Sequence, residues 1–236
     1  MPDINWSKNA VASITSTTLG FNGTRQAENS TSQQLNTTST NLTSVRFSKS
    51  TGRGDPQYGF TRSYMAFDFT GYTTGTITNL TFHWTGTIST IGTNSVFLVK
   101  TDAFGNSTNF NNYESDDWWS SLTTTTRYDS GGLGGFSWPD SNSAQSQALG
   151  STAITAAQND GYLQMAILNS TDYFGLDSGT NVSNFARGNW SSNKFFLRFT
   201  YVAGGYSNKV NGVLGEDISK VSAIATANIS KVIGVS

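Results

Sequence analysis

Residues 63–69 read SYMAFDF, and the spacing of their large apolar side chains decides the fold. Met65, Phe67 and Phe69 alternate with Tyr64, Ala66 and Asp68. A period of two puts the two sets on opposite faces of a strand, one turned to a core and one to water. The same period recurs. LTFHW (80–84) sets Leu80, Phe82 and Trp84 against Thr81 and His83, and FFLRFTYV (195–202) puts Phe195, Leu197, Phe199 and Tyr201 on one side. VFLV (96–99) and YLQMAIL (162–168) are further apolar strand signals, and β-branched Thr and Val suit the pleat.

Between these runs lie STGRGDPQYG (50–59), TGYTTG (70–75), TDAFGNSTNFNN (101–112), DSGGLGG (129–135) and LDSGTN (176–181). Their Gly, Asn, Asp and Pro residues supply turn conformations. SAQSQALGSTAITAAQNDG (143–161) is the helical candidate, a turn or two at most. Residues 22–43 are poor in large apolar side chains and read either as a long surface loop or as short edge strands. Many strands, little helix and no strand–helix–strand rhythm predict an antiparallel sandwich.

The chain has 236 residues, enough for one large all-β domain with a small appendage. Charged residues are 12% of it and the formal net charge is −1, so the basic surface that nucleic-acid binding needs is missing. Aromatic residues at 13% set the chain apart from disordered sequences. With no cysteine, stability must come from the core rather than from disulfides. The start, MPDINWSKNAVAS, has neither the basic region nor the apolar run of a secretory signal, and no stretch is long enough to span a bilayer. No membrane insertion is expected. A Thr-, Ser- and Asn-rich surface without a signal suggests a protein made in a host cytoplasm and displayed on a virus particle released by lysis.

After YVAGGYSN (201–208) the character changes, with Gly204-Gly205 as a linker. NKVNGVLGEDI, SKVSAIATANI and the partial SKVIGVS follow in register at eleven-residue spacing. Lys209, Lys220 and Lys231 align, as do Val210, Val221 and Val232, then Val213, Ile224 and Val235, then Ile218 and Ile229. Recurrence at a fixed period signals a repeat. Apolar clusters separated by small, turn-forming residues suit short strands and tight turns. An amphipathic helix over 217–233 is the competing reading, since eleven residues make nearly three helical turns.

Two resemblances follow from quoted stretches. RSYMAFDFTGYTTGTITNLTFHWTG (62–86), ALGSTAITAAQNDGYLQMAIL (148–168) and FARGNWSSNKFFLRFTYV (185–202) resemble, in order, the jelly-roll modules of bacterial surface proteins known as DNRLRE-type domains. That family usually has Pro after its Asn-Lys pair, where this chain has Phe195. The tail is similar to the ISKVNGV-type repeats that end structural proteins of tailed, especially marine, bacteriophages. Together these resemblances imply a phage virion protein and no chemical reaction.

The chemistry-bearing residues are few. His83 is the single histidine, and its alternation with Leu80, Phe82 and Trp84 puts it on the outer face of its strand. A Ser-His-Asp centre would have to use it, and a zinc site lacks ligands. In NNYESDDWWSS (111–121), Glu114, Asp116 and Asp117 are candidate Ca²⁺ ligands, and Trp118 and Trp119 are candidate stacking faces for a sugar. The alternative is one Trp in the core, one capping a sheet edge, and solvated acids. Trp138 and Trp190, on turn-like segments, are glycan-binding candidates or core-edge packing. Arg53-Gly54-Asp55 reads as a Gly-rich turn with a local Arg–Asp pair rather than as the integrin tripeptide it matches.

The combined expectation is an all-β, jelly-roll-like antiparallel β-sandwich over residues 1–203, followed by a linker and β-repeat assembly segment over 204–236. The expected function is a non-enzymatic virion component on the particle surface, as tail fibre, tail accessory or capsid decoration. Val210, Val213, Ile218, Val221, Ile224, Ile229, Val232 and Val235 would bury against neighbouring virion proteins or identical copies, a trimer being one such arrangement. No cofactor is expected beyond the candidate Ca²⁺. Host surface glycans are a candidate partner. The alternatives are a carbohydrate-binding module or adhesin, and a polysaccharide depolymerase.

Overall fold

The computed structural model describes residues 1–90, 95–105, 119–130, 135–138, 142–191, 193–204, 220–221 and 224–225. Within them the chain runs β1 (Asp3–Asn5), β2 (Lys8–Ser16), α1 (Gly20–Arg25), β3 (Ser32–Leu35), β4 (Leu42–Ser50), β5 (Gln57–Asp68), β6 (Thr76–Ser89), β7 (Val96–Thr101), β8 (Leu122–Arg127), β9 (Ser143–Ala148), α2 (Ser151–Asn159), β10 (Tyr162–Asn169), α3 (Ser170–Phe174), β11 (Val182–Gly188) and β12 (Phe196–Val202). One sheet holds all these strands in the order β1-β12-β6-β11-β4-β5-β10-β7-β8, with β2 on β5, β3 on β2 and β9 on β6. The fold is all-β and antiparallel.

The sheet folds over on itself into two layers. Met65 and Phe67 of β5, Leu163, Met165 and Ile167 of β10, and Leu98 of β7 share one core with Leu80, Phe82 and Trp84 of β6 and Leu197 and Phe199 of β12. β5 is the seam. It pairs with β2 along residues 58–66 on one side, and on the other with β4 over 57–61 and then β10 over 63–68. Each fully buried aromatic or aliphatic side chain in this core contributes about 1.5–3 kcal/mol by leaving water.

The half-buried strand expected at residues 63–69 is instead covered on both faces. Met65 and Phe67 meet the sandwich core, while Tyr64 and Ala66 on the other face are equally buried against Ala10, Val99, Phe104 and Ala166. Further along that outer face, Phe47, Tyr58, Phe60 and Ile14 form a third cluster capped by Phe21 of α1. The cause is the short helices and the turn at 101–105, which lie across this layer and exclude water from a face the alternation assigns to solvent.

In β6 the alternation changes phase. Ile77 and Leu80 are both buried although three positions apart. Asn79 between them has φ 50°, and the register with β12 shifts from Thr200↔Thr78 to Arg198↔Thr81. This is a bulge: one extra residue re-aims every side chain after it, and Asn tolerates the left-handed backbone better than most residues. From there Leu80, Phe82 and Trp84 point inward as the sequence reading expects.

Residues 143–161 split into strand β9, paired with β6, and the nine-residue helix α2, whose Ala153 and Ala157 are buried. The region 22–43 gives both α1 and the exposed edge strand β3. In the tail, β13 (Lys220–Val221) pairs antiparallel with β14 (Ile224–Ala225), with Val221 opposite Ile224. These residues follow the strand reading, not the helical one.

Candidate functional site

Trp190 follows β11, and its ring is fully buried, stacked on Phe195 at 4.1 Å and 8°. Its Nε1 donates to Ser44 Oγ at 3.1 Å. Trp138 is also buried; its Nε1 donates to the Arg187 carbonyl at 3.0 Å and its ring lies 5.5 Å from Trp84. Both therefore correct the glycan-binding expectation. Their ring faces are occupied by other aromatic rings, so neither offers a surface to a sugar.

Trp119 differs. It is half-buried, and its ring lies 4.5 Å from the Arg25 guanidinium carbon and 5.0 Å from that of Arg62. Its backbone N–H donates to Glu28 Oε2 at 2.9 Å, and Ser120 N donates to both oxygens of the same carboxylate. Glu28 thus fastens the 119–120 turn to the segment after α1. Trp118 and the cation candidates Glu114, Asp116 and Asp117 lie outside the described residues. So do Val210, Val213, Ile218, Ile229, Val232 and Val235 of the assembly set. Among the described residues no group of three His, Cys, Asp or Glu side chains is placed to hold a metal ion.

Beneath Trp119 is a buried ionic cluster. Arg62 donates from Nε to Asp172 Oδ2 at 2.7 Å and from Nη2 to Oδ1 at 3.0 Å, with both side chains almost fully buried. A bidentate guanidinium–carboxylate pair is the strong form of this contact. Burial alone would pull the Arg62 guanidinium down, but Asp172 more than offsets it and holds the group above its ordinary value. Arg25 adds a bond from Nε to the Asp172 carbonyl at 2.7 Å, and Arg62 also donates to the Arg25 carbonyl. Asn169 caps α3 by accepting from Asp172 N–H at 2.8 Å. At the helix end Gly175 takes the left-handed φ of 68°, and its missing Cβ leaves room for the Arg25 guanidinium, which an added Cβ would approach to 3.0 Å.

Arg25 and Arg62 share the Asp172 carboxylate and bond to backbone carbonyls, so the cluster fastens α1, α3 and the 119–120 turn to the outer face of β5. The adjoining hollow, lined by Ser13, Asn29, Ser30 and Arg62, has room for about one water molecule. The sequence does contain a signal for this cluster: an arginine within the strand GFTRSYMAF, where an apolar neighbourhood demands a counter-charge.

His83 faces outward as expected. It stacks on Phe196 at 4.7 Å and 3°, beside the bidentate Arg198–Asp3 pair, whose bonds are 2.7 and 2.8 Å. Burial pushes its imidazole below the ordinary value and Arg198 adds to the effect, while Asp3 opposes it. The unfolded chain therefore binds this proton more readily than the folded one. The stability contribution is complete above the ordinary imidazole range and is lost as pH falls through it, around 6.5. The unfolding midpoint should fall between about pH 7 and pH 5 in wild type, with a smaller decline in His83→Gln. Equal slopes in the two proteins would remove His83 as the cause.

A scan against models of known protein families finds no match to the chain, and a search of curated proteins finds no relative.

Proposed function

We propose that this chain is a non-enzymatic structural protein on the surface of a tailed-phage particle, with the tail as its assembly element and the sandwich as the displayed part. The observation that carries the reading is the eleven-residue repeat, in whose second unit Val221 and Ile224 face each other across an antiparallel pair. Two-residue strands cannot bury an apolar face alone, and a two-stranded ribbon is marginal in water. Repeats of this kind gain stability by stacking on neighbours, and identical copies supply neighbours of matching register. The sandwich needs no such help, since its aromatic core closes within the chain.

The test removes residues 206–236 and follows two properties. The shortened protein should remain folded, with an unfolding midpoint near that of the full chain, and should fail to enter particles assembled in its presence. In solution the full chain should form a homo-oligomer and the shortened one a monomer by light scattering. Normal incorporation of the shortened protein would overturn the proposal.

A further inference from the structure

We propose that the peptide bond between Arg53 and Gly54 is a cleavage site for an arginine-specific serine protease, and that the chain cut there stays folded as two fragments held together. Such a protease needs a guanidinium free to enter an acidic pocket, and backbone on both sides that can lie extended in its cleft. The chain has seven arginines, all within the described residues. Six stand in regular structure: Arg25 in α1, Arg46 in β4, Arg62 in β5, Arg127 in β8, Arg187 in β11 and Arg198 in β12. Arg25 and Arg62 are held by Asp172, Arg127 by Asp129 and Arg198 by Asp3. Arg46 and Arg187 lie in strands paired on both sides, Arg46 with Phe185 and Thr61, Arg187 with Thr43 and Ile88. Cutting at any of the six means first opening the sheet or α1.

Arg53 meets both requirements as the structure stands. Residues 51–56 join β4 to β5, and 51–55 are all exposed. Neither Gly52 nor Gly54 has an atom within 4 Å of an added Cβ, so the hairpin tip projects into open space. Neither glycine takes a positive φ, so no left-handed turn has to be undone to extend the segment. Arg53 and Asp55 form no ion pair, with each other or with another described residue, contrary to the local pair expected from the sequence. Residues 52–55 make no hydrogen bond to another described residue either. Fraying of the terminal ladder pair Ser50↔Gln57 lengthens the accessible stretch at little cost. Exposed tips of small and polar residues are where native chains are nicked.

Hydrolysis adds one water across the bond, leaving a carboxylate on Arg53 and an ammonium on Gly54. Both new charges sit at the solvated tip, so no buried group loses a partner. The two pieces remain joined by the sheet. Residues 1–53 supply β1 to β4, and four ladders cross the cut: β1 on β12, β2 on β5, and β4 on both β5 and β11. Beside the tip the base of the hairpin is braced to residues after the cut. Lys49 Nζ donates to Asp177 Oδ2 at 2.7 Å, and Thr51 donates from N and Oγ1 to Asn181 Oδ1 at 2.8 and 2.6 Å. The core beneath β4 and β5 is shared by both pieces, since Val11 and Val45 pack in one cluster with Phe67, Leu163 and Leu197.

The experiment incubates the full-length protein in native buffer with an arginine-specific endoprotease, which spares residues 204–236 because they contain no arginine. Denaturing mass spectrometry locates the cuts, and size exclusion with far-ultraviolet circular dichroism follows the fold. The first products should be residues 1–53 and 54–236, eluting together at the position of the uncut protein with an unchanged spectrum. Arg53→Gln should slow the first cut by about tenfold or more, and Arg46→Gln, the control on β4, should leave it unchanged. A first cut at another arginine, equal rates in Arg53→Gln and wild type, or fragments that separate in native buffer would each overturn the proposal. So would a wild-type chain left intact over a time in which the same protease fully digests an unfolded protein. The readout involves no particle, so it can fail while the tail deletion still abolishes incorporation, and the reverse.

Discussion

Asp172→Ala should lower the stability of this protein by about 3–5 kcal/mol, the cost of leaving a buried charge without its partner. Asp172 is fully buried and receives two bonds from Arg62, itself 3% exposed, with Arg25 at 3.5 Å. Removing the carboxylate leaves two guanidiniums under Trp119 with no anion between them, and Arg62 keeps only its bond to the Arg25 carbonyl among the bonds described above. Their mutual repulsion would then push α1 away from β5. Urea unfolding should show a lower midpoint with an unchanged slope. The double variant Arg62→Met with Asp172→Leu should lose less than Asp172→Ala, because bringing the pair out of water has a cost that apolar side chains avoid. A loss of only about 1 kcal/mol for Asp172→Ala, the range of an exposed pair, would mean that water reaches the cluster.

This cluster also marks where the sequence stops being readable. Period two at Met65-Phe67-Phe69 and at Leu80-Phe82-Trp84 locates strands because burial on one face depends only on local spacing. Which strand is central depends on what lies across its second face, and α1, α3 and the 101–105 turn arrive there from distant parts of the chain. Tyr64 and Ala66 are therefore buried by tertiary contacts that local pattern does not encode. The bulge at Asn79 is partly legible, since Asn inside a strand hints at left-handed backbone, yet only pairing with β12 shows the change of phase. Strands such as LTTTTR and SAQSQA give little apolar signal because their residues are half-buried or exposed in alternation. The tryptophans are the sharpest case. Glycine, serine and asparagine around Trp138 and Trp190 suggest exposed turns, but both rings fold back into the core. Trp119, flanked by acids and serines, is only half-buried.

Trp190→Ala should cost about 3–5 kcal/mol, the range for truncating a large aromatic in a core. Its ring is fully buried and lies parallel to Phe195, which in turn packs near Phe82 and Trp138. The loss would therefore open a cavity against the Phe195 ring. It would also leave Ser44 Oγ without its donor, although that hydroxyl still has the Leu42 carbonyl within reach at 3.4 Å. Gly188 makes the packing tight: a Cβ there would come 2.5 Å from the Phe195 ring, so the backbone has little room to close over a void. Incomplete collapse puts the cost in the upper part of the range. Trp190→Phe should lose less, keeping a stacked ring while giving up the N–H bond, a contribution of about 0.5–1.5 kcal/mol, and part of the buried area. Chemical denaturation gives the midpoint, and near-ultraviolet circular dichroism reports whether the remaining aromatic rings stay ordered. Any loss of ligand binding in Trp190→Ala should then track loss of the folded fraction. A variant that kept its unfolding midpoint but lost binding to a sugar would return Trp190 to a recognition role and contradict its place in the core.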